Sequence, residues 1–183
     1  MLNNCYTFKL NLLNDMIIRI VPFLILVSQF VFSQEYSETQ FKKISLDIVK
    51  ESNFCVFITL DSLGNPQARL MDPYIPNDDF VVYLVTNPLS RKVKQLENDS
   101  RVVLNFQSID GNSYVTISGT SSLLNNPEHK KKYWKESWTP HYKNINKSSL
   151  LIKVVPKSLE MISIPNNVLG DSITWKPKKI DFN

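Results

Sequence analysis

Apolar residues follow two different repeats along the chain, one typical of helices and one typical of strands. Over residues 39–51 they recur every three or four positions, which predicts an amphipathic helix. Strict alternation over residues 101–107 predicts a strand with one buried face, and the nearly continuous apolar runs 53–60 and 80–86 predict more deeply buried strands. The remaining predicted strands are 67–71, 114–124, 150–155 and 159–164.

Turn-forming residues join most of these strands into hairpins. The stretches 61–66 and 110–112 combine Asp, Asn, Gly and Pro in patterns typical of tight turns. Few helices intervene, although Pro127 is predicted to open a short one. Six or seven strands in this order favour a mainly β (α+β) fold, an antiparallel closed barrel with a few flanking helices, over a doubly wound sheet.

The N-terminus has the pattern of a targeting signal. Residues 17–32 are almost entirely apolar, Arg19 lies near their start, and Val31 and Ser33 supply small residues before a cleavage point. We predict a signal peptide over residues 1–33, with Met16 as a plausible true start, and hence a secreted or periplasmic protein. The alternative is an uncleaved membrane anchor; in either case the leader is the expected contact with the membrane.

The mature chain is then predicted to consist of one barrel domain and a tail. The barrel would cover residues 34–164, and the tail 165–183 is expected to be irregular, with Trp175 as its only large apolar anchor. Cys55 is the only cysteine left after the leader, so no intramolecular disulfide is expected and we predict a buried thiol.

Charge and composition narrow the functional classes. A formal net charge of +4 is mildly basic, and the single basic run, residues 129–132, is interpreted as a solvated helix face rather than a nucleic-acid surface. With four glycines the chain has neither a Rossmann fingerprint nor a Walker A loop. His129 and His141 are too few and too scattered for a zinc site, and no nucleophile, acid or base can be singled out as catalytic.

The residues that most clearly indicate a ligand lie in two segments. Arg69 falls in a predicted strand, and residues 86–92 run from a strand end into a predicted helix. Asn87 is predicted to cap that helix with Pro88 at its first position, which places Ser90, Arg91 and Lys92 in the first turn. A helix start with unpaired N–H groups favours an anion, most naturally a phosphate.

A structural interpretation of the same residues stays open at this point. Arg69 could pair with Asp72 or Asp79 on the surface, and Lys92 could be a solvated helix lysine. Leu89, Val93 and Leu96 have the spacing of that helix's core face.

The order of short motifs resembles that of a known superfamily. The chain has Ala-Arg-Leu-Met at 68–71, Thr-Asn-x-x-Ser-Arg-Lys-Val at 86–93, Gln-Leu-Glu-Asn-Asp-Ser-Arg-Val-Val-Leu at 95–104 and Ser-Gly-Thr at 118–120. This order resembles the pyridoxamine 5′-phosphate oxidase-like superfamily, and in particular its general stress protein 26 branch of flavin-binding split barrels. The resemblance covers about residues 41–164. It implies a homodimeric antiparallel split β-barrel that holds FMN in a groove between the subunits.

The resemblance also implies roles for individual residues. Arg69 would meet the flavin phosphate or ribityl chain, and the Leu70–Met71 backbone would lie along the isoalloxazine. Gln107 would contact the cofactor from the opposite strand. Trp138 would line the groove or serve as a lid or core residue. Thr86 would hydrogen-bond the cofactor, Ser90 and Lys92 would hold its phosphate, and Arg91 is also among the implied cofactor-binding residues.

The implied function is an FMN-binding oxidoreductase of the stress-protein type, acting on a small redox substrate that the sequence does not identify. The alternative is a non-catalytic periplasmic module that binds flavin or haem. Pyridoxamine 5′-phosphate oxidation itself is not expected, because the C-terminal substrate residues of true oxidases have no counterpart between Ser163 and Asn183. An exported copy would have to acquire FMN after export or do without it, since FMN is made in the cytoplasm.

Overall fold

The computed structural model describes residues 36–74 and 77–182. The predicted leader lies outside the described residues. Within them, no helix combines the length and the apolar character that crossing a membrane requires.

Eight strands and a few short helices make up the described chain. The helices are α1 (Glu38–Glu51), α2 (Arg91–Asn98), α3 (Pro127–Lys132) and α4 (Ile145–Ser148), with a 3₁₀ helix at Glu136–His141. The strands are β1 (Cys55–Leu60), β2 (Pro66–Met71), β3 (Pro73–Tyr74), β4 (Val82–Thr86), β5 (Arg101–Gln107), β6 (Ser113–Leu124), β7 (Leu150–Ser163) and β8 (Lys178–Asp181).

All strand pairs are antiparallel, and the hydrogen-bonded path runs β2-β1-β5-β6-β7-β4-β3, with β8 added to β7. The two ends of this path, β2 and β3, follow one another in the chain with only Asp72 between them. The sheet therefore curls until its two ends are tied together by the backbone. This curled antiparallel sheet with a few helices confirms the predicted fold class.

The inner face of the curl carries the main hydrophobic core. On β5, Val102, Leu104 and Phe106 are buried while the residues between them are not, as the alternation predicted. On β1 the same face carries Cys55 and Phe57. The Cys55 side chain is 1% exposed, and burial raises the pKa of its thiol to about 12, so the cysteine acts as a small apolar residue.

Helix α1 covers one end of this core. Its start is fixed by a capping box in which Gln40 N donates to Ser37 Oγ at 3.2 Å and Ser37 N donates to Gln40 Oε1 at 3.0 Å. Phe41, Ile48 and Val49 are buried beneath it, which confirms the helix predicted over residues 39–51.

Two strand predictions at the C-terminal end need correction. Residues 150–163 form one continuous strand, because β7 pairs with β4 over its first half and with β8 over its second, and with β6 throughout apart from a register shift opposite Ser118 and Gly119. The tail predicted to be irregular ends in β8. Its anchor is Phe182, whose ring lies 5.8 Å from that of Phe80, whereas Trp175 is 82% exposed.

A second, smaller hydrophobic cluster lies beneath residues 125–149, which we call the cap segment. Trp138 of this segment packs with Val85 of β4 and Leu151 of β7. Half-buried aromatic residues surround this centre: Tyr74, Tyr83, Tyr133, Trp134 and Tyr142. The cap segment thus has its own packing, separate from the inner core of the sheet.

The basic run 129–132 was predicted to be solvated throughout, and Lys130 is an exception. Its side chain is 1% exposed, whereas Lys131 and Lys132 are exposed as predicted. Lys130 Nζ donates to Asn125 Oδ1 at 2.6 Å and to the backbone oxygens of Ser149 at 2.7 Å and Asn146 at 2.9 Å, with Ile145 O at 3.5 Å. The buried ammonium therefore ties the two ends of the cap segment together.

Candidate anion-binding site

Helix α2 begins three residues later than the sequence predicted. Its N-cap is Ser90, and Asn87 instead starts a turn ahead of the helix, in which Leu89 N donates to Asn87 Oδ1 at 2.8 Å. Leu89 is consequently 90% exposed and does not belong to the core face, which consists of Val93, Gln95 and Leu96. Because the Ser90 side chain makes no capping hydrogen bond, the first-turn N–H groups have no side-chain acceptor from the cap.

The Ser90 hydroxyl points back to the end of β4. Thr86 Oγ1 and Ser90 Oγ lie 3.0 Å apart, and Lys92 Nζ donates to Thr86 Oγ1 at 2.9 Å. The strand end and the first helical turn thus bring together three of the side chains that the sequence assigned to one ligand. Thr86 is buried, while Ser90 and Lys92 remain partly accessible.

Arg69 reaches the same helix from β2. It pairs with Phe57 in the β1–β2 register, so its side chain lies on the inner face of the sheet. Arg69 Nη1 donates to Thr59 Oγ1 at 2.6 Å and Nη2 donates to Gln95 Oε1 at 2.9 Å. These neutral oxygens, rather than Asp72 or Asp79, hold the guanidinium, so the surface ion pair considered for Arg69 is not formed.

Thr59 and Gln95 are site residues that the sequence interpretation missed. Both are buried, and Thr59 Oγ1 also donates to Gln95 Oε1 at 2.6 Å. The available signal was a polar residue on an otherwise apolar stripe: Gln95 lies beside Leu96 on the helix face that packs inward.

Arg69, Arg91 and Lys92, which we call the cation cluster, repel one another. The pKa of Lys92 lies below its ordinary value because of burial first, and then because of the charges of Arg69 and Arg91. Burial and the charge of Arg91 likewise lower the pKa of Arg69. Neither shift has a carboxylate among its causes, and the ion pairs of the described residues all lie elsewhere. The arrangement is one that a bound anion would stabilise.

Leu70 and Gln107 lie on the opposite face of the sheet from Arg69. Leu70 is 65% exposed, since neighbouring residues of a strand point to alternate faces. Together with Phe54, Val56 and Gln107 it lines an open cleft of about 260 Å³. Met71 turns back to the face of Arg69, where it pairs with Cys55 and is half-buried. The three consecutive residues 69–71 therefore do not share one surface.

Trp138 lies in the cap segment and bonds to the junction that closes the sheet. Its Nε1 donates to Asp72 Oδ2 at 2.6 Å, and Lys135 Nζ donates to Asp72 Oδ1 at 2.5 Å. With 7% of its surface exposed, Trp138 is a packing residue of the cap, one of the roles considered for it. Asp72 follows directly after residues 69–71, so this contact attaches the cap beside the strand that carries Arg69.

Comparisons with protein families and with solved structures place this fold among known proteins. The family model described as Pyridoxamine 5'-phosphate oxidase like matches residues 40–171. No curated protein shows significant similarity to the chain.

Solved structures resemble the chain at low sequence identity. General stress protein 26 from Bacillus anthracis is 20% identical, with a TM-score of 0.63, over 78% of this chain and 98% of that one. A protein related to general stress protein 26 from Clostridium acetobutylicum is 16% identical, with a TM-score of 0.67, over 80% and 97% of the two chains. A heme binding protein from Mycobacterium smegmatis is 11% identical, with a TM-score of 0.60, over 76% and 57%. At these identities the likeness is one of fold.

Proposed function

Because the chain belongs to the pyridoxamine 5′-phosphate oxidase-like family, we propose that it binds FMN, with the phosphate at the cation cluster. The observation that carries this proposal is the electrostatics of Arg69, Arg91 and Lys92: burial and the charges of Arg69 and Arg91 lower the pKa of Lys92, and the hydrogen bonds of Arg69 and Lys92 go to neutral oxygens. A phosphate dianion would offset most of their mutual repulsion.

The cation cluster is surrounded by hydrogen-bonding groups of the types that bind phosphate. Ser90 and Thr86 offer hydroxyl groups, and the first turn of α2 offers N–H groups without a capping side chain. Arg69 is held in one orientation by Thr59 and Gln95, so little side-chain entropy remains to be lost when the ligand binds. FMN would supply hydride-transfer chemistry, and the protein residues would bind and orient it.

We further propose that the protein is a homodimer with the cofactor between its subunits. Leu70 and Gln107 line a cleft on the face of the sheet opposite to Arg69, so one chain alone does not gather all the predicted ligand residues. That outer face also carries half-buried apolar residues of β1, Val56 and Ile58, beside the 52% exposed Phe54. A second copy covering this face would bury apolar surface and could bring its own residues to the groove.

The activity that fits these features best is that of a flavin-dependent oxidoreductase on a small redox substrate. The alternative is a non-catalytic module that binds flavin or haem, favoured by the heme binding protein among the structural neighbours. Reduced nicotinamide turnover by the FMN-loaded protein would distinguish the two, because a binding module should show FMN binding without turnover.

Binding of FMN, riboflavin and haem to the purified protein, followed by titration fluorescence and absorbance, tests the proposal. FMN should bind and riboflavin should bind much more weakly, since it lacks the phosphate. Arg69→Ala and Lys92→Ala should weaken FMN binding, whereas Arg101→Ala, which removes an exposed arginine paired with Asp99, should not. A protein that ignores FMN, or that binds riboflavin equally well, contradicts the phosphate assignment.

Export of the chain is part of the same proposal and needs its own measurement. Native mass spectrometry of protein recovered from the periplasm would report the mature N-terminus, the subunit number and the mass of any bound cofactor. Cleavage after Ser33, two subunits and the mass of FMN are expected. A full-length chain retained in the membrane fraction would indicate the anchor alternative.

A further inference from the structure

The loop between β7 and β8 exposes two large apolar side chains. In residues 170–176, which we call the tryptophan loop, Ile173 is 88% exposed and Trp175 is 82% exposed. Just before it, Leu169 is 56% exposed. Single exposed apolar residues are ordinary, whereas an aromatic and an aliphatic residue together at the apex of one loop form a patch that needs an explanation.

The tryptophan loop is held firmly by its own hydrogen bonds. Asp171 Oδ1 accepts from Ile173 N at 3.1 Å, Thr174 N at 2.7 Å and Thr174 Oγ1 at 2.8 Å. Across the loop, Asp171 N donates to Lys176 O at 2.9 Å and Trp175 N donates to Asp171 O at 2.8 Å. A side chain at Gly170 would approach Trp175 O to 2.6 Å, so the loop requires glycine there. The exposure of Ile173 and Trp175 is therefore a product of ordered structure.

The backbone at Trp175 is also strained. Its φ of 59° lies in the left-handed region, which bulky residues rarely adopt. Strain and exposed apolar surface both lower the stability of the folded chain, and such features persist where they serve binding. The family match ends at residue 171, so the apex of this loop lies beyond the matched region.

The size of the patch and its chemistry favour a lipid surface over a protein partner. Two or three side chains fall far short of the roughly 800 Å² per partner that a stable protein interface buries. A bilayer needs no matching shape, and tryptophan is the residue type enriched at its interface. Lys176 follows directly, and the Asp171 carboxylate is turned onto its own loop by its hydrogen bonds with Ile173 and Thr174.

We propose that the tryptophan loop docks the barrel on an anionic lipid bilayer, with Ile173 and Trp175 at the headgroup–acyl boundary and Lys176 among the headgroups. The basic net charge of the chain, +4, is complementary to such a surface. The inference does not depend on FMN binding. It adds a membrane contact to the one expected of the leader.

Quenching of tryptophan fluorescence by brominated lipids tests this docking on the full chain, whether or not the leader is retained. Vesicles of phosphatidylcholine with phosphatidylglycerol, with and without bromine on the acyl chains, would be compared. Bromine should quench the wild-type emission, and Trp175→Phe, which leaves Trp134 and Trp138, should lose most of that quenching. In Lys176→Gln, which keeps the reporter, the apparent affinity should fall roughly fivefold. Ile173→Ser should weaken quenching further.

Leu63→Ser is the matched control, because Leu63 is 84% exposed in a different loop and its loss should leave the quenching unchanged. Equal emission with brominated and plain vesicles would overturn the proposal, as would quenching that Ile173→Ser leaves intact. The protein-partner alternative would appear as a wild-type oligomer, measured by light scattering, that dissociates in Trp175→Ala while the vesicles cause no quenching.

Discussion

The buried ammonium of Lys130 and the partly exposed cation cluster differ in how their charges are satisfied. Lys130 is 1% exposed, and four oxygens from Asn125 and the residues 145–149 surround its ammonium. In the cation cluster, Lys92 donates a hydrogen bond to Thr86, and Arg69 and Arg91 raise the local positive charge. Oxygens of the protein therefore satisfy the ammonium of Lys130, whereas those around the cation cluster leave its positive charge unbalanced.

This difference separates a structural role from a binding role. A buried ammonium whose hydrogen bonds are all made within the protein offers no binding site for a ligand. Removing it should therefore lower the stability of the folded protein. A half-buried cluster with neutral partners and mutual repulsion is tolerated by the fold and completed by an anion, so its removal should damage binding. The predictions below test that division.

Lys130→Met should have the largest effect on stability. It leaves the buried oxygen of Ser149 and the partly buried oxygens of Asn125 and Asn146 without their donor, which should cost about 3 kcal/mol in the free energy of unfolding. Urea unfolding followed by circular dichroism measures this loss. Lys131→Met, which removes the exposed neighbour, is the control and should change stability little. Equal stabilities of the two variants would show that the oxygens around Lys130 are satisfied without it.

Arg69→Met should show the opposite pattern. Thr59 and Gln95 remain hydrogen-bonded to each other at 2.6 Å, so removal of the guanidinium leaves no buried oxygen orphaned and relieves the repulsion on Lys92. We expect the stability of the FMN-free protein to be unchanged or slightly higher, while FMN affinity falls by about 2 kcal/mol, roughly thirtyfold. Urea unfolding and FMN titration on the same preparation check both halves. A large loss of stability would mean that Arg69 supports the fold as Lys130 does.

The same contrast explains which parts of the fold and of the candidate site could be predicted from the sequence. Features that depend only on neighbouring residues could be predicted from their spacing in the sequence. These are the alternation on β5, the helical repeat of α1 and the motif Ser90-Arg91-Lys92. The start of α2 was set by hydrogen bonds at the end of β4, because the Ser90 hydroxyl bonds to Thr86 and Asn87 turns the chain before the helix begins. That choice is not visible in propensities alone.

Lys130 shows where local reasoning fails. It lies in a run of three lysines that has the composition of a solvated face, and its acceptors come from residues up to 19 positions away. Which lysine of the run turns inward depends on how the cap segment packs on β4 and β7. Thr59 and Gln95 were missed for the same reason, since their contact requires β1 to lie against α2.

Lys135 provides an intermediate case, a cation that the fold pairs with a carboxylate. Lys135 and Asp72 are each about 30% exposed and are joined at 2.5 Å, and Trp138 also donates to Asp72. Lys135→Met should therefore cost about 1 kcal/mol, less than Lys130→Met, because Asp72 keeps one donor and water reaches the pair. The loss should shrink at high salt, whereas the loss in Lys130→Met should not. Urea unfolding at low and high salt measures both; a salt-independent loss would place Lys135 with Lys130.

The smallest expected effect is the pH dependence of Lys92. Its pKa in the folded protein lies below its ordinary value of about 10.4, so near that pH the unfolded chain binds more protons than the folded one. The stability of the FMN-free protein should therefore rise slightly as pH increases from the folded pKa to the ordinary value, and be lowest below the folded pKa.

FMN affinity should change in the opposite direction, because Lys92 loses its charge as pH rises. Lys92→Arg stays charged throughout, so its FMN affinity should remain flatter from about pH 7 to about pH 10. FMN titrations of the wild type and of Lys92→Arg across this pH range measure the difference. If the affinity of both proteins changed with pH in the same way, the charge of Lys92 would not be the one that holds the phosphate.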